Sequence, residues 1–458
     1  MSVLNRLQRL TGDKETRQGK ESEGDRQGES PRADEIRALR ERIETVLARR
    51  PEGIRGTGAA GRGGVPLADL VPGEETSNEA GAFFCASRLA GGATRHGRFC
   101  VRDLAPLDMG RIAVLANDPL LQGFDYRDAL FFDTETTGLA GGTGTVAFLI
   151  GLGWFAGDGF VTRQLFARDY AEERATLLDL ISLLGERRFL VSFNGKAFDA
   201  NLLASRFIMN RLHNPLAALP HLDLLHCARR LLSHRLADRR LGALEAAVLG
   251  FEREGDIPGS EIPQRYFDWL RRRDGRLMAD VFEHNRLDIL SLAALAAHLT
   301  ELIDPEREDS SRHPGDRLAA ARLFLARNRH DEAVHLLDPL CRCSLPDAAR
   351  EAARELSLHH KRSGRWTDAA AVWEEMLRRD PRDLFALLEL AKWHEHHRRD
   401  FAQALALTQR ACACPGPLSS EERAGFHRRR QRLERKLAAF LAGRESSGDS
   451  RPVDIPSK

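Results

Sequence analysis

The sequence predicts an α/β protein: a mixed sheet with flanking helices, followed by an all-α repeat domain. Three observations predict it. Three apolar, strand-like runs follow one another between residues 130 and 166, and strand-like and helix-like stretches then alternate to residue 302. Toward the C-terminus, alanines at 333, 369 and 404 recur at intervals of 36 and 35 residues. A length of 458 residues exceeds what one core usually sustains, so two or three units are expected.

Taken in order, residues 1–76 read as a disordered arm and linker. The first 50 are charge-rich and poor in aromatics, with a short helix expected over 37–49, and 51–76 are rich in Gly and Pro. Residues 77–128 contain AGAFFCASRLAGG and are expected to form irregular strands packed on the core. The main α/β domain spans 129–303. Its strands are expected at 130–133, 145–155, 160–166, from 189, and near 221–225. Helices are expected at 172–184, through Asp199 and Phe207, and over 278–302. Residues 304–316, DPEREDSSRHPGD, read as a second linker, 317–440 as repeats and 441–458 as a disordered tail.

Four carboxylates carry the chemistry. Asp133 and Glu135 lie in FFDTETTGL, Asp199 in VSFNGKAFDANLL, and Asp288 in HNRLDILSL. The run Ala129-Leu130-Phe131-Phe132 leads straight into Asp133, so the first two acids share one strand face at its C-terminal end. His284 and Asp288 are i and i+4 on one helix face. Acids are rarely buried unless paired, and two divalent cations, Mg²⁺ or Mn²⁺, are such partners. Singly, each acid has a plain alternative as a solvated turn, a helix-start acid or a surface pair. The ordered set is what points to a metal-dependent nuclease.

The set resembles the DEDD exonuclease superfamily, which has a ribonuclease H-like fold. The segment FNGKAFDANLL resembles the second motif of the proofreading domains of family B DNA polymerases. A closer similarity is to the YprB-type group of bacterial ribonuclease H-like proteins, over about 130–302. It rests also on QLFARDYAEERATLL and HLDLLHCARRLL. The resemblance implies a ribonuclease H-like mixed sheet. It implies two-metal 3′→5′ hydrolysis of nucleic acid, with Asp133, Glu135, Asp199 and Asp288 as metal ligands.

One departure stands out. The superfamily's third motif carries Tyr-x₃-Asp or His-x₄-Asp, whereas this chain has His284-x₃-Asp288. An imidazole titrates near pH 6.5 when unperturbed, which suits a general base; the alternative makes His284 a bystander. Asn194 and Lys196 are candidate substrate contacts. Lysine is scarce, seven against 62 arginines, and Lys196 is read either as a phosphate contact or as a solvated helix-start residue. The glycine-rich segment 138–144 allows close approach of a nucleic-acid strand or simply turns the chain. Asp223 is expected to support the site without being a ligand.

The middle repeat, SGRWTDAAAVWEEMLRRDPRD, resembles the tetratricopeptide consensus, which implies stacked helical hairpins. The array is expected to fold separately and to dock a protein partner, or else to cap the nuclease. Seven cysteines with no secretory signal and no apolar membrane run indicate a reducing, cytoplasmic setting, with no membrane partner. The short Cys-x-Cys spacings argue against structural zinc. A net charge of +2 excludes a global polycation; the arginine runs at 271–273 and 428–430 read as helix surfaces, with a local phosphate track left open for the first, which precedes the helix bearing Asp288. The partner expected of the domain is DNA or RNA. The competing function is a non-catalytic nucleic-acid-binding adaptor that recruits a partner through the repeats.

Overall fold

The computed structural model describes residues 64–138, 144–307, 313–414 and 420–447. The expected arm and its helix, the centre of the glycine-rich segment, residues 308–312 and the last residues of the tail lie outside these. In the central domain a seven-stranded sheet has the order β1-β2-β7-β6-β5-β8-β9. Its strands are β1 Gly73–Asn78, β2 Gly81–Ala90, β5 Ala129–Thr136, β6 Ala147–Ala156, β7 Gly159–Phe166, β8 Phe189–Ser192 and β9 His221–Asp223. A small hairpin, β3 Arg95–His96 and β4 Phe99–Cys100, lies apart from it. β5 pairs antiparallel with β6 and parallel with β8, so the sheet is mixed.

Helices cover both faces. In chain order they are α1 Met109–Ala116, α2 Glu173–Leu184, α3 Asp199–Met209, α4 Leu224–Leu232, α5 Leu241–Leu244, α6 Ile262–Arg272 and α7 Arg276–Leu302. Alternation along β5 sorts the layers. Leu130 and Phe132 pack with Leu177, Leu180, Leu203 and Phe207 of α2 and α3. Phe131 packs the other way, with Ile289 and Leu292 of α7. Asp133 and Glu135 continue the Phe131 face, which directs them to α7. Phe131, Phe155 and Phe160 meet edge-on at centroid distances of 5.1–5.7 Å and hold β5, β6 and β7 together.

The strand pattern extends further upstream than expected. Residues 73–76, assigned to a linker for their Gly and Pro content, begin β1, and 81–90 form a regular strand instead of an irregular one. Gly73 marks crowding, not flexibility: a Cβ there would lie 2.7 Å from the Cys85 carbonyl oxygen and the Phe84 ring.

The C-terminal region is helical. It comprises α8 Pro314–Ala326, α9 His330–Leu340, α10 Pro346–Arg362, α11 Trp366–Arg379, α12 Leu384–Trp393, α13 Phe401–Ala413 and α14 Ser420–Ser447, each packed on the next. The recurring Ala333, Ala369 and Ala404 are all fully buried near the starts of α9, α11 and α13. Their small side chains let neighbouring helices approach. α14 runs on to Ser447, past the expected start of the tail at 441. Arg429 of the 428–430 run pairs with buried Glu395 at 2.7 Å and is part of the packing there.

The boundary at 304–316 is not a clean division. Leu318, Leu323 and Phe324 of α8, Leu336 of α9 and Leu356 of α10 share one continuous apolar core with Phe131, Val191, Leu231 and Leu295. The expectation of a separately folding array is corrected on this point. The apolar faces of the first repeat helices find their partners on α4 and α7 of the sheet domain. No helix among the described residues is long and apolar enough to cross a membrane.

Candidate active site

β5 delivers Asp133 and Glu135 to the C-terminal edge of the sheet. Asp199 arrives from the opposite layer as the first residue of α3. The turn that carries it is tightly determined. Asn194 takes a left-handed φ of 64°, and a Cβ on Gly195 would lie 2.3 Å from the Ser192 hydroxyl. Asp223, at the end of β9, accepts the backbone N–H of Asn194 at 2.8 Å and of Lys196 at 3.2 Å. It also accepts Leu225 N–H at 3.1 Å, capping α4. Asp223 thus fixes the turn, and its charge also helps to raise the Asp199 pKa. The side chains of Asn194 and Lys196 are exposed.

The Thr134 hydroxyl donates to Asp199 Oδ1, tying α3 to β5. Asn285, fully buried on α7, donates to Asp133 Oδ2 at 3.1 Å. Its own oxygen accepts from Gln164 Nε2 at 3.0 Å. Gly151 makes room for it, because a Cβ there would stand 2.2 Å from Asn285 Oδ1. Donor atoms of Glu135, His284 and Asp288 lie within 4.8 Å of one another.

Burial and mutual repulsion dominate the electrostatics. Asp133 is raised well above the ordinary carboxylate range by burial, then by the charges of Asp288, Asp199 and Glu135. Glu135 is raised likewise, by burial and then by Asp288 and Asp199. Burial pushes Asp199 up to about 6, against the hydrogen bond from Thr134. A cluster of this kind gains from any cation that enters it.

Sequence reasoning missed several supporting groups. His284 Nδ1 lies 2.7 Å from Asp256 Oδ1, while its Nε2 lies 3.4 Å from Asp288 Oδ2. Arg253 donates to Asp288 Oδ1, to both oxygens of Glu245 and, at 3.1 Å, to Asp256 Oδ2. Burial opposes its charge, yet Glu245 and Asp288 hold its proton more firmly than usual. Glu245 opens a π-helical turn, Glu245–Leu249, after α5, and accepts the Ser291 hydroxyl. Ser291 in turn meets His96 Nε2 at 2.7 Å. Burial, then the charges of Arg253 and Arg286, lowers His96 to about 4. Asn285 stood inside the HNRLD motif, yet sequence reasoning gave it no role. Arg253 and Asp256 lie in FEREGDIPG, where no period or spacing marks them. A cleft of about 440 Å³ opens beside them, lined by Leu241, Phe251, Arg253, Asp256, His284 and Asp288.

The donor set tests which cations would fit. Four carboxylates and one imidazole are mainly hard oxygen donors, which suit Mg²⁺ or Mn²⁺ better than soft metals.

The mixed sheet is flanked by helices and gathers acids at the end of the inner strand β5, and its family match supports a nuclease-type class. Residues 130–300 match the RNase H superfamily. Over 350 residues the chain is 32% identical to the uncharacterized protein YprB of Bacillus subtilis (strain 168), covering 75% of this chain and 84% of that protein. The chain thus carries an RNase H superfamily domain over residues 130–300 and belongs to one family with that protein.

Proposed function

We propose that this chain is a metal-dependent 3′→5′ exonuclease that hydrolyses phosphodiester bonds of DNA or RNA. The observation that carries the reading is the gathering of Asp133, Glu135, Asp199 and Asp288 at the end of β5, where the charges of Asp288 and Asp199 raise the pKa of both Asp133 and Glu135. These four would hold two divalent cations, which when bound supply charge neutralisation at the phosphate and an activated water. The chain's own residues do the rest. Asp256 accepts from His284 Nδ1–H and so fixes the tautomer in which Nε2 is free to take a proton from water. Arg253 holds Asp288 in place. Asn285 orients Asp133. Asn194 and Lys196, exposed on the turn before α3, are read as substrate contacts. The C-terminal helices are read as tetratricopeptide-like, with a protein partner as their proposed ligand.

The test is an assay on 5′-end-labelled single-stranded DNA and RNA with Mg²⁺ or Mn²⁺. The expected product is a ladder that shortens from the 3′ end and disappears in Asp133→Asn. No hydrolysis of either polymer with either metal overturns the reading. Internal cuts without a ladder overturn its exonuclease part.

A further inference from the structure

Away from the acids, a small cavity of about 140 Å³ lies at the seam between the sheet domain and the first repeat helix. Lys196 enters it from the turn before α3, His226 and Arg230 from α4, and Arg327 from the end of α8. Three of these four carry fixed positive charge. Among the described residues the Arg230 guanidinium and the Lys196 ammonium have no carboxylate partner. Arg327, partly buried, has only the Val114 carbonyl oxygen at 3.3 Å.

The one acid in the wall, Asp223, does not balance them. Its two oxygens are occupied by the backbone N–H groups of Asn194, Lys196 and Leu225, and His226 Nε2 stands 3.9 Å away. Lys196, His226 and Arg230 reach the cavity from exposed positions, whereas Arg327 is partly buried without a carboxylate, which is unfavourable unless a ligand completes it. Burial first, and the Arg230 charge second, lower the Arg327 pKa. One water occupies about 30 Å³ of liquid, so the cavity offers room for a tetrahedral oxyanion with its oxygens. Arginine forks bind such oxygens through paired N–H groups.

We propose that Lys196, Arg230 and Arg327, with His226, form a phosphate-binding site that grips the sugar-phosphate backbone of the nucleic-acid strand. Lys196 places this site three residues before Asp199 on the same turn, so a strand can touch it and the acids together. It also gives the repeats a direct part in substrate binding, since Arg327 belongs to α8. The inference rests on the nuclease reading above for the identity of the strand.

The experiment measures binding of labelled single strands of unrelated sequence by the full chain, with Ca²⁺ in place of Mg²⁺, across a salt series. Wild type is compared with Arg230→Gln, Arg327→Gln and the double variant, and hydrolysis by wild type is assayed in parallel. Each lost phosphate contact should reduce the slope of log affinity against log salt by about 0.7, with the same loss on every sequence. Arg230→Gln should keep the wild-type melting temperature, because it removes an unpartnered charge that repels Arg327. It therefore keeps the test sound if Arg327→Gln fails to fold.

An unchanged slope in Arg230→Gln, with wild type binding and degrading the strand, overturns the site and leaves the nuclease reading standing. Failure of wild type to bind either polymer overturns both. Inorganic phosphate is the remaining arm. If it stabilises wild type but not Arg230→Gln, while strand affinity is the same in both, the site serves free phosphate and the backbone assignment is wrong.

Discussion

His284 Nδ1 lies 2.7 Å from Asp256 Oδ1, and Asp288 Oδ2 lies 3.4 Å from the opposite ring nitrogen. The imidazole is thus held between two acids from different parts of the chain. Against the desolvation of burial, the hydrogen bond and charge of His284 and the charge of Arg253 keep Asp256 below its ordinary pKa. General-base assistance is typically worth about 10²–10⁴-fold, so His284→Ala should lower kcat by about that factor. Asp256→Ala should lower it by less, through loss of ring orientation, and Asp256→Asn should recover part because its amide oxygen still accepts from Nδ1–H. The check is kcat with its pH profile for all three. Wild-type kcat in His284→Ala would make the histidine a bystander.

The acids predict an unusual pH dependence of stability in the metal-free protein. Asp199 titrates at about 6 when folded, and an unfolded aspartate titrates near 4. Between about pH 4 and 6 the folded state therefore keeps a proton that the unfolded chain has released, and stability falls as pH rises through that window. A shift of about two units corresponds to roughly 3 kcal/mol. Asp133 and Glu135 push in the same direction. The melting temperature with a chelator should be higher at pH 5 than at pH 8, and Mg²⁺ or Mn²⁺ should narrow the gap. A metal-free melting temperature that rises over this interval would contradict the burial of these groups.

Asp133→Asn should abolish hydrolysis while the metal-free fold at pH 8 is as stable as wild type or more so. It removes a buried charge repelled by three others. Retained activity with Mg²⁺, in protein free of contaminating nucleases, would remove Asp133 from the site.

Gly151 opposes Asp133 on β6, and its missing side chain is where Asn285 sits. Gly151→Ala should displace Asn285 from both Asp133 and Gln164, destabilising the fold by about 1–3 kcal/mol. It should also weaken metal binding, since Asp133 loses the donor that orients it. Calorimetric melting and a metal titration measure the two effects. A variant unchanged in both would mean that the sheet yields at β6 and Asn285 is not needed.

The core shared by the sheet domain and α8–α10 predicts the outcome of truncation. A chain ending at residue 307 loses the partners of Leu231 and Leu295 and leaves a large apolar face in water. It should be aggregation-prone and inactive, as measured by light scattering and hydrolysis. A monomeric, active fragment would show that the repeats are dispensable to the fold.

The sheet was legible because apolar strands end at polar turns. The expected runs at 160–166 and 172–184 agree with β7 and α2 to within a residue at each end. The acids were legible because each stands beside a strand end or on a helix face. Arg253, Asp256 and Glu245 were not, since only tertiary packing brings the loop after α5 against α7. The reach of β1 and β2 into the sheet was hidden for a different reason. Glycine at 73 reads as a loop signal in sequence, while in the fold it relieves a close strand contact. The seam with the repeats was also hidden, because an apolar helix face announces that it needs a partner but not which one.

That shared core has a consequence for synthesis. The segments carrying Asp133, Glu135, Asp199 and Asp288 leave the ribosome before α8, α9 and α10 exist. Until Leu356 has been made, the helices behind the acids have no cover on one side, and the nascent chain cannot close the packing that holds them in register. Maturation of the acidic centre is therefore coupled to synthesis of the chain at least as far as Leu356.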